Sequence, residues 1–272
     1  IDEACEGRHF QEFRDINELP EDSGRRVLTT GGHYGYLKIA EGCDKHCTYC
    51  IIPSLRGRFR SVPQERLIAQ AEHMAEQGVK ELILVAQETT MYGTDLYGKK
   101  TLHLLMKELC KIKGIRWIRV LYCYPEEIYD ELIQVMKEEK KICHYLDLPI
   151  QHASDRILKR MGRRTTRAQL TATIEKLRKE IPDIVLRTTL ITGFPGETQE
   201  QHEEVMEFID TLEFDRLGAF TYSPEEDTPA ATFEDQIDEE VKEDRQADIM
   251  ELQQEIAFDK AEDMIGREVL VM

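Results

Sequence analysis

The stretch IVLRTTLITGFPGETQEQHEEVMEFIDTLE (184–213) holds one complete structural unit. Its first ten residues are rich in β-branched side chains and predict a strand over 184–193. Gly193-Phe194-Pro195-Gly196 follows, a turn whose glycines let backbone approach a ligand closely. Thr198 then reads as a helix N-cap with Gln201 as its capping-box partner, and apolar residues recur beyond it at helical spacing.

The same strand, turn and helix recur on both sides. Strands are predicted at YLKIAEG (36–42), KELILVAQ (80–87), IRWIRVLY (115–122), CHYLDLPI (143–150) and FDRLGAFTYS (214–223). Segments of helical period separate them, beginning at Pro63, Thr101, Glu126 and Thr165, with Gly78, Gly114 and Pro182 as their stops. Six β/α units in series mean an α/β fold with a parallel sheet. A doubly wound sheet and an open or closed barrel both fit this pattern. Either one places the active face at the strand C-termini and the loops after them.

Outside these units, residues 1–35 are polar and irregular and read as a linker from a preceding domain. The 36–236 span is then the barrel or sheet, and 237–272 a C-terminal segment that reads as one helix over about 237–265, with apolar positions Ile249, Leu252, Ile256 and Met264. The final IGREVLVM is β-prone and reads as the start of a further domain. No apolar run is long enough to cross a bilayer, so no membrane partner is expected. The cysteine count is odd, and Cys5, Cys110, Cys123 and Cys143 show no framework spacing, which argues for a reducing cytoplasm rather than a secreted disulfide scaffold. The last three read as buried small hydrophobes.

A net charge of −17 repels a phosphate backbone unless positive charge is locally concentrated. Acidity peaks at 223–244, where ten carboxylates stand against one lysine, and this run reads as a solvated linker or helix face.

The densest chemistry lies in EGCDKHCTYCIIPSLRGRFRS (41–61), directly after the first predicted strand. Cys43, Cys47 and Cys50 can surround one object with three thiolates. Structural zinc is usually closed by four ligands, and His46 or a distant cysteine would have to be the fourth. His46 directly precedes Cys47 and is expected to point away from the same centre. An iron–sulfur cluster held by only three cysteines keeps one iron open for a substrate or cofactor. Arg56, Arg58 and Arg60 could offset the negative charge of such a cluster, clamp an acidic side chain, or simply be solvated.

Cys-x3-Cys-x2-Cys with Tyr49 before the last cysteine resembles the signature loop of the radical S-adenosylmethionine (SAM) enzymes. The resemblance implies a partial (β/α)6 TIM-type barrel and a 4Fe–4S cluster on Cys43, Cys47 and Cys50. In that family the open iron chelates SAM, and an electron from the cluster cleaves it to a 5′-deoxyadenosyl radical. AQETTMYGTDLYG (86–98), LYCYPEEI (121–128) and DLPIQHASDRILKRMGRRT (147–165) narrow the resemblance to the methylthiotransferases of this family.

Within that family the motifs are most similar to the branch that adds a methylthio group to the β-carbon of an aspartate in small-subunit ribosomal protein S-twelve. The tRNA-modifying relatives share the cysteine loop but carry serine and threonine in place of LYCYP and QSGS in place of QHAS. The charge points the same way, since an acidic enzyme steers in a basic ribosomal protein. A tRNA adenosine methylthiotransferase is the alternative, and a zinc-stabilised binding module is the alternative of another class. The resemblance also implies a flavodoxin-type electron donor, a second 4Fe–4S cluster in an N-terminal domain, and a C-terminal TRAM domain.

The cofactor contacts it implies are Tyr49 packing on SAM, Gln87 and Gln151 at the ends of the second and fourth strands, and the Gly193, Phe194, Pro195 and Gly196 turn against the adenosine. Arg187 is the candidate partner for the cofactor's carboxylate, because a guanidinium matches that geometry, with a salt bridge inside the barrel as the other reading. No catalytic residue is assigned beyond the cluster ligands.

Overall fold

Each predicted strand is flanked by a turn former and each helix by a legible end, so the chain alternates regularly between the two. In the computed structural model, residues 15–19 and 31–271 are described. The strands are β1 (Tyr34–Lys38), β2 (Ala40–Glu41), β3 (Arg60–Ser61), β4 (Glu81–Val85), β5 (Trp117–Val120), β6 (Ile142–Asp147), β7 (Val185–Thr192) and β8 (Arg216–Thr221). The α-helices are α1 (Ile52–Arg56), α2 (Gln64–Glu76), α3 (Thr94–Tyr97), α4 (Leu102–Cys110), α5 (Asp130–Glu138), α6 (Asp155–Arg160), α7 (Arg167–Glu180), α8 (Gln199–Leu212) and α9 (Glu239–Glu262).

Six strands form one parallel sheet in the order β1-β4-β5-β6-β7-β8. Every new strand joins on the side of its predecessor, so the winding never reverses. A doubly wound sheet reverses at a switch point. The order therefore selects a singly wound arrangement, and because β1 and β8 are not paired among the described residues, it is an open, partial (β/α)6 barrel.

Strand alternation shows which face the helices cover. Along β7, Leu186, Thr188, Leu190 and Thr192 are buried, while Arg187, Thr189 and Ile191 are half-buried on the opposite face. The buried set joins Leu82, Leu84, Ile118, Val120 and Leu146 in one core with helix residues such as Leu105, Leu170 and Ile209. The capping box at the head of α8 forms as predicted: the Thr198 hydroxyl accepts from the Gln201 N–H, and the Thr198 N–H donates to Gln201 Oε1 at 3.0 Å.

Three expectations change in part. The strand predicted over 36–42 ends at Lys38, and Ala40–Glu41 pairs instead with Arg60–Ser61 in an antiparallel ladder. That ladder closes the neck of the cysteine loop. The acidic run is solvated as read, with its carboxylates exposed and 239–244 on the last helix, but it is also anchored: Thr228 and Ala230 are buried and the Ala230 N–H donates to the Thr48 carbonyl at 2.9 Å. The C-terminal helix stops at Glu262, leaving Met264 exposed. The reading of 1–35 as a linker lies largely outside the described residues, as does Cys5, while residues 34 and 35 already belong to β1.

Candidate active site

The cysteine loop, 42–59, leaves the sheet at the C-terminal end of β1 and is clasped at both ends. Gly42 has φ +79°, and a Cβ there would overlap the Arg58 carbonyl, so only glycine lets the two loop arms meet. The Cys43 N–H donates to the Gly57 carbonyl at 3.2 Å, and the Phe59 N–H donates to Asp44 Oδ1 at 3.0 Å. The far side of the loop sits on the end of α6. There the Thr48 N–H donates to Met161 O, the Thr48 hydroxyl donates to Arg160 O, and a Cβ at Gly162 would lie 2.7 Å from the His46 carbonyl.

This scaffold buries Cys43 and Cys47 and half-buries Cys50. Burial pushes the Cys43 thiol up to about 11, with Glu88, Cys47 and Cys50 adding to the shift, and burial also raises Cys50. Thiols so placed become thiolates when a metal supplies the opposing charge. His46 is exposed and lines the same cavity as Cys43 and Cys47, so its exposure does not set it apart from that centre.

A cavity of about 360 Å³ borders Cys43 and Cys47 and is walled by Glu88, Tyr124, Glu126 and Arg163. Among the described residues no three His, Cys, Asp or Glu side chains are grouped to hold a single ion. Cys47 and Cys50 are nevertheless close enough to Cys43 to raise its pKa, and Cys47 also raises that of Cys50. One tetrahedral zinc needs all its sulfurs within about 2.3 Å of a point. A polynuclear iron cluster takes each thiolate on a different iron, and the donor set and the adjoining cavity fit that group.

The proposed cofactor contacts fall in three groups. Gln87 lies just beyond β4, where Nε2 donates to Glu41 Oε1 at 3.2 Å, and Gln151 lies past β6 with φ +71°. Each keeps a buried side-chain carbonyl oxygen with no partner among the described residues. Such orphan acceptors are rare in native structures, but neither side chain lines the cavity beside Cys43 and Cys47, and Gln151 lines a separate closed space with His152, Glu197 and Ile249.

Tyr49 meets Phe194 edge to face at 6.5 Å, in an apolar cluster with Ile157, Met161 and Tyr222. The structure thus brings Tyr49 to the Gly193–Gly196 turn, but Phe194 and Pro195 are buried. The space beside Gly193 is filled by Lys242 and that beside Gly196 by Asp235. The glycines of this turn admit α9 and the acidic segment.

Arg187 stands apart from both groups, donating to Asp147 Oδ1 at 2.6 Å while its side chain remains 38% exposed. Arg60 folds back onto the Arg58 and Arg56 carbonyls, whereas Arg56 and Arg58 are exposed.

Sequence reading missed Glu88, Tyr124 and Arg163. All three lie within the motifs 86–98, 121–128 and 147–165, each in the segment after a strand, and that position was the available signal.

Residues 37–209 match the radical SAM superfamily. The chain belongs to that superfamily. It is 64% identical over 272 residues to ribosomal protein uS12 methylthiotransferase RimO of Lachnoclostridium phytofermentans, covering 100% of this chain and 62% of that protein. It is 57% identical over 256 residues to the RimO of Clostridium perfringens, covering 94% of this chain and 58% of that protein. The chain therefore spans about three fifths of the length of these curated relatives.

In fold it is similar to a radical S-adenosylmethionine methyltransferase, TsrM, from Kitasatospora setae, at a TM-score of 0.61 and 16% identity over 73% of this chain and 38% of that one. It is also similar to methylornithine synthase, PylB, at a TM-score of 0.56 and 13% identity over 82% of this chain and 64% of that one.

Proposed function

We propose that this chain is the radical-generating core of a methylthiotransferase that modifies the β-carbon of an aspartate in ribosomal protein uS12. The observation that carries the reading is the clasped loop, which gathers Cys43, Cys47 and Cys50 over the strand C-termini beside a cavity. Identity of 64% across the whole chain to a protein named RimO supports the substrate. The net charge of −17 favours a basic protein substrate over tRNA. The radical SAM match over residues 37–209 speaks against a single-zinc module.

Cys43, Cys47 and Cys50 would hold a 4Fe–4S cluster, which when bound supplies the electron that cleaves SAM. The chain's own residues then do the rest of the work. Gln87 and Gln151 offer acceptors to the cofactor, and Tyr49, braced on Phe194, covers one side of the site. Arg187 is assigned to the cofactor carboxylate, held by Asp147 on the inner side of the sheet. The Gly193–Gly196 backbone is assigned to the adenosine. A flavodoxin-type protein is the proposed electron donor and the cytoplasm the proposed compartment. A second cluster is assigned to a segment on the N-terminal side of this domain.

The test is anaerobic reconstitution with iron and sulfide, followed by an iron count and assay of 5′-deoxyadenosine formed from SAM with dithionite. The expected result is about four irons per chain and cleavage that Cys47→Ala abolishes. Zinc uptake without iron, or a full cluster that never cleaves SAM, would overturn the reading.

A further inference from the structure

Arg163 follows α6, in the segment that seats the cysteine loop. Its side chain is 1% exposed, and Nη2 donates to Glu126 Oε2 at 3.0 Å. The remaining guanidinium nitrogens, Nε and Nη1, are buried and unpaired, and the Tyr49 hydroxyl lies close enough to interact with both Arg163 and Cys47. Buried donors left unpaired are rare and costly in native structures, so two of them on one side chain mark a place where an acceptor is to be received.

The surroundings indicate that use. Arg163 lines the cavity that borders Cys43 and Cys47. Its guanidinium carbon lies 4.4 Å from the centre of the Tyr124 ring, and the Tyr124 hydroxyl is 3.5 Å from Cys47 Sγ. Lys45 also approaches the same ring, at 5.1 Å, but its ammonium is held by Glu127. Arg163 is therefore the buried cation with donors to spare at the Cys47 side of the cavity.

On the reading that this cavity receives the cluster, we propose that Arg163 and Tyr124 form a donor shell around Cys47 that raises the cluster's reduction potential. Arg163 is a positioning residue here: it acts on the cluster's sulfur and charge, and it touches no substrate. The electrostatics fix the sign. Reduction adds negative charge to an anionic group, and a buried cation and hydrogen bonds to sulfur favour the more negative state. Glu126 opposes this, because its carboxylate neutralises part of the guanidinium charge.

The test is an EPR-monitored redox titration of the reconstituted chain, with iron counted in every sample. Arg163→Met is expected to lower the ratio of reduced to oxidised cluster at fixed poise at least tenfold, which is 59 mV for a one-electron couple. Arg163→Lys should recover part of the loss, and Tyr124→Phe should give a smaller fall. Glu126→Gln should raise the ratio. If Arg163→Met does not hold iron, Glu126→Gln and Tyr124→Phe decide the matter by moving in opposite directions. Fully loaded variants whose ratios stay within twofold of wild type overturn this inference alone. A wild-type chain that binds no iron overturns the cluster reading, and the inference falls with it.

Discussion

At the scale of the residue, Glu88 carries the clearest consequence. It is 1% exposed, and Oε1 accepts from the Thr90 N–H at 3.0 Å and from the Thr90 hydroxyl, while Oε2 has no partner among the described residues. Burial pushes its carboxyl up to about 7 from an ordinary value of 4.5, against the opposing pull of Thr90, Lys45 and the Tyr124 N–H. Cys43 and Cys123 also face it. The sign follows from proton counting: between these two values the folded chain holds a proton that the unfolded chain releases. Stability therefore falls as pH rises through that window and levels off above it, by on the order of 3 kcal/mol in all. Glu88→Gln should remove most of this slope, so the metal-free variant gains on wild type at pH 8 and not at pH 4.5. Urea unfolding at both pH values measures it, and parallel profiles for the two proteins would refute the buried-acid account. Neither Glu88 nor the left-handed Gly162 under the cysteine loop was legible in the sequence as a special position. A buried acid and an exposed one are written with the same letter, and the contact that demands glycine at 162 comes from residue 46.

At the scale of the element, the strands and most helices were legible because aliphatic runs and helical spacing state which face is buried. The helix α9 shows where that signal runs out. Ile249 and Ile256 dock as their spacing predicts, but much of the buried face is Lys242, Arg245 and Gln253. These long side chains reach carbonyls on or near the last strand. Lys242 Nζ donates to Tyr222 O at 3.0 Å, Gln246 Nε2 to Ala219 O at 2.7 Å and Gln253 Nε2 to Phe214 O at 3.0 Å. Arg245 reaches Glu197 at 3.1 Å, and His152 stands 3.5 Å from the same carboxylate on its other side. Burial alone would raise the Glu197 pKa, but His152, Arg245 and the Phe194 N–H outweigh it and the net shift is downward. A depressed carboxyl contributes stability that is full above about pH 4.5 and lost as pH falls through its folded value. Arg245→Met removes one of those partners and leaves the carboxylate buried. It should destabilise the chain by about 3 kcal/mol at neutral pH and start acid unfolding at a higher pH. Urea midpoints across pH 4–8 check both effects, and an unmoved acid limb would show that His152 alone sustains the charge.

At the scale of the whole molecule, six β/α units were countable in the sequence, but the choice between doubly wound and singly wound sheets was not. Strand order depends on which side each crossover takes, and no local pattern records it. Net charge, in contrast, is a sum over the chain and was fully legible, although its placement was not. The acidic segment, read as a solvated linker or helix face, is tied to the cysteine loop through Ala230 and Thr48 and leaves Glu225, Glu226, Asp227 and Glu234 exposed to solvent. Its negative field therefore lies on the side of the molecule where this segment meets the cysteine loop at Thr48. An acidic surface attracts a basic protein segment and repels an RNA backbone, and both effects weaken as salt shortens the Debye length from about 30 Å at 0.01 M to about 8 Å at 0.15 M. Association of a basic peptide carrying one aspartate should accordingly slow by roughly tenfold between those ionic strengths. Replacing Glu225, Glu226 and Asp227 with their amides should flatten that dependence while leaving the fold intact, since all three side chains are solvated. Stopped-flow binding at several salt concentrations, run in parallel with a tRNA anticodon stem-loop, separates the alternatives. A salt-independent rate for the peptide, or tighter binding of the stem-loop, would mean that the charge of this face does not select the substrate.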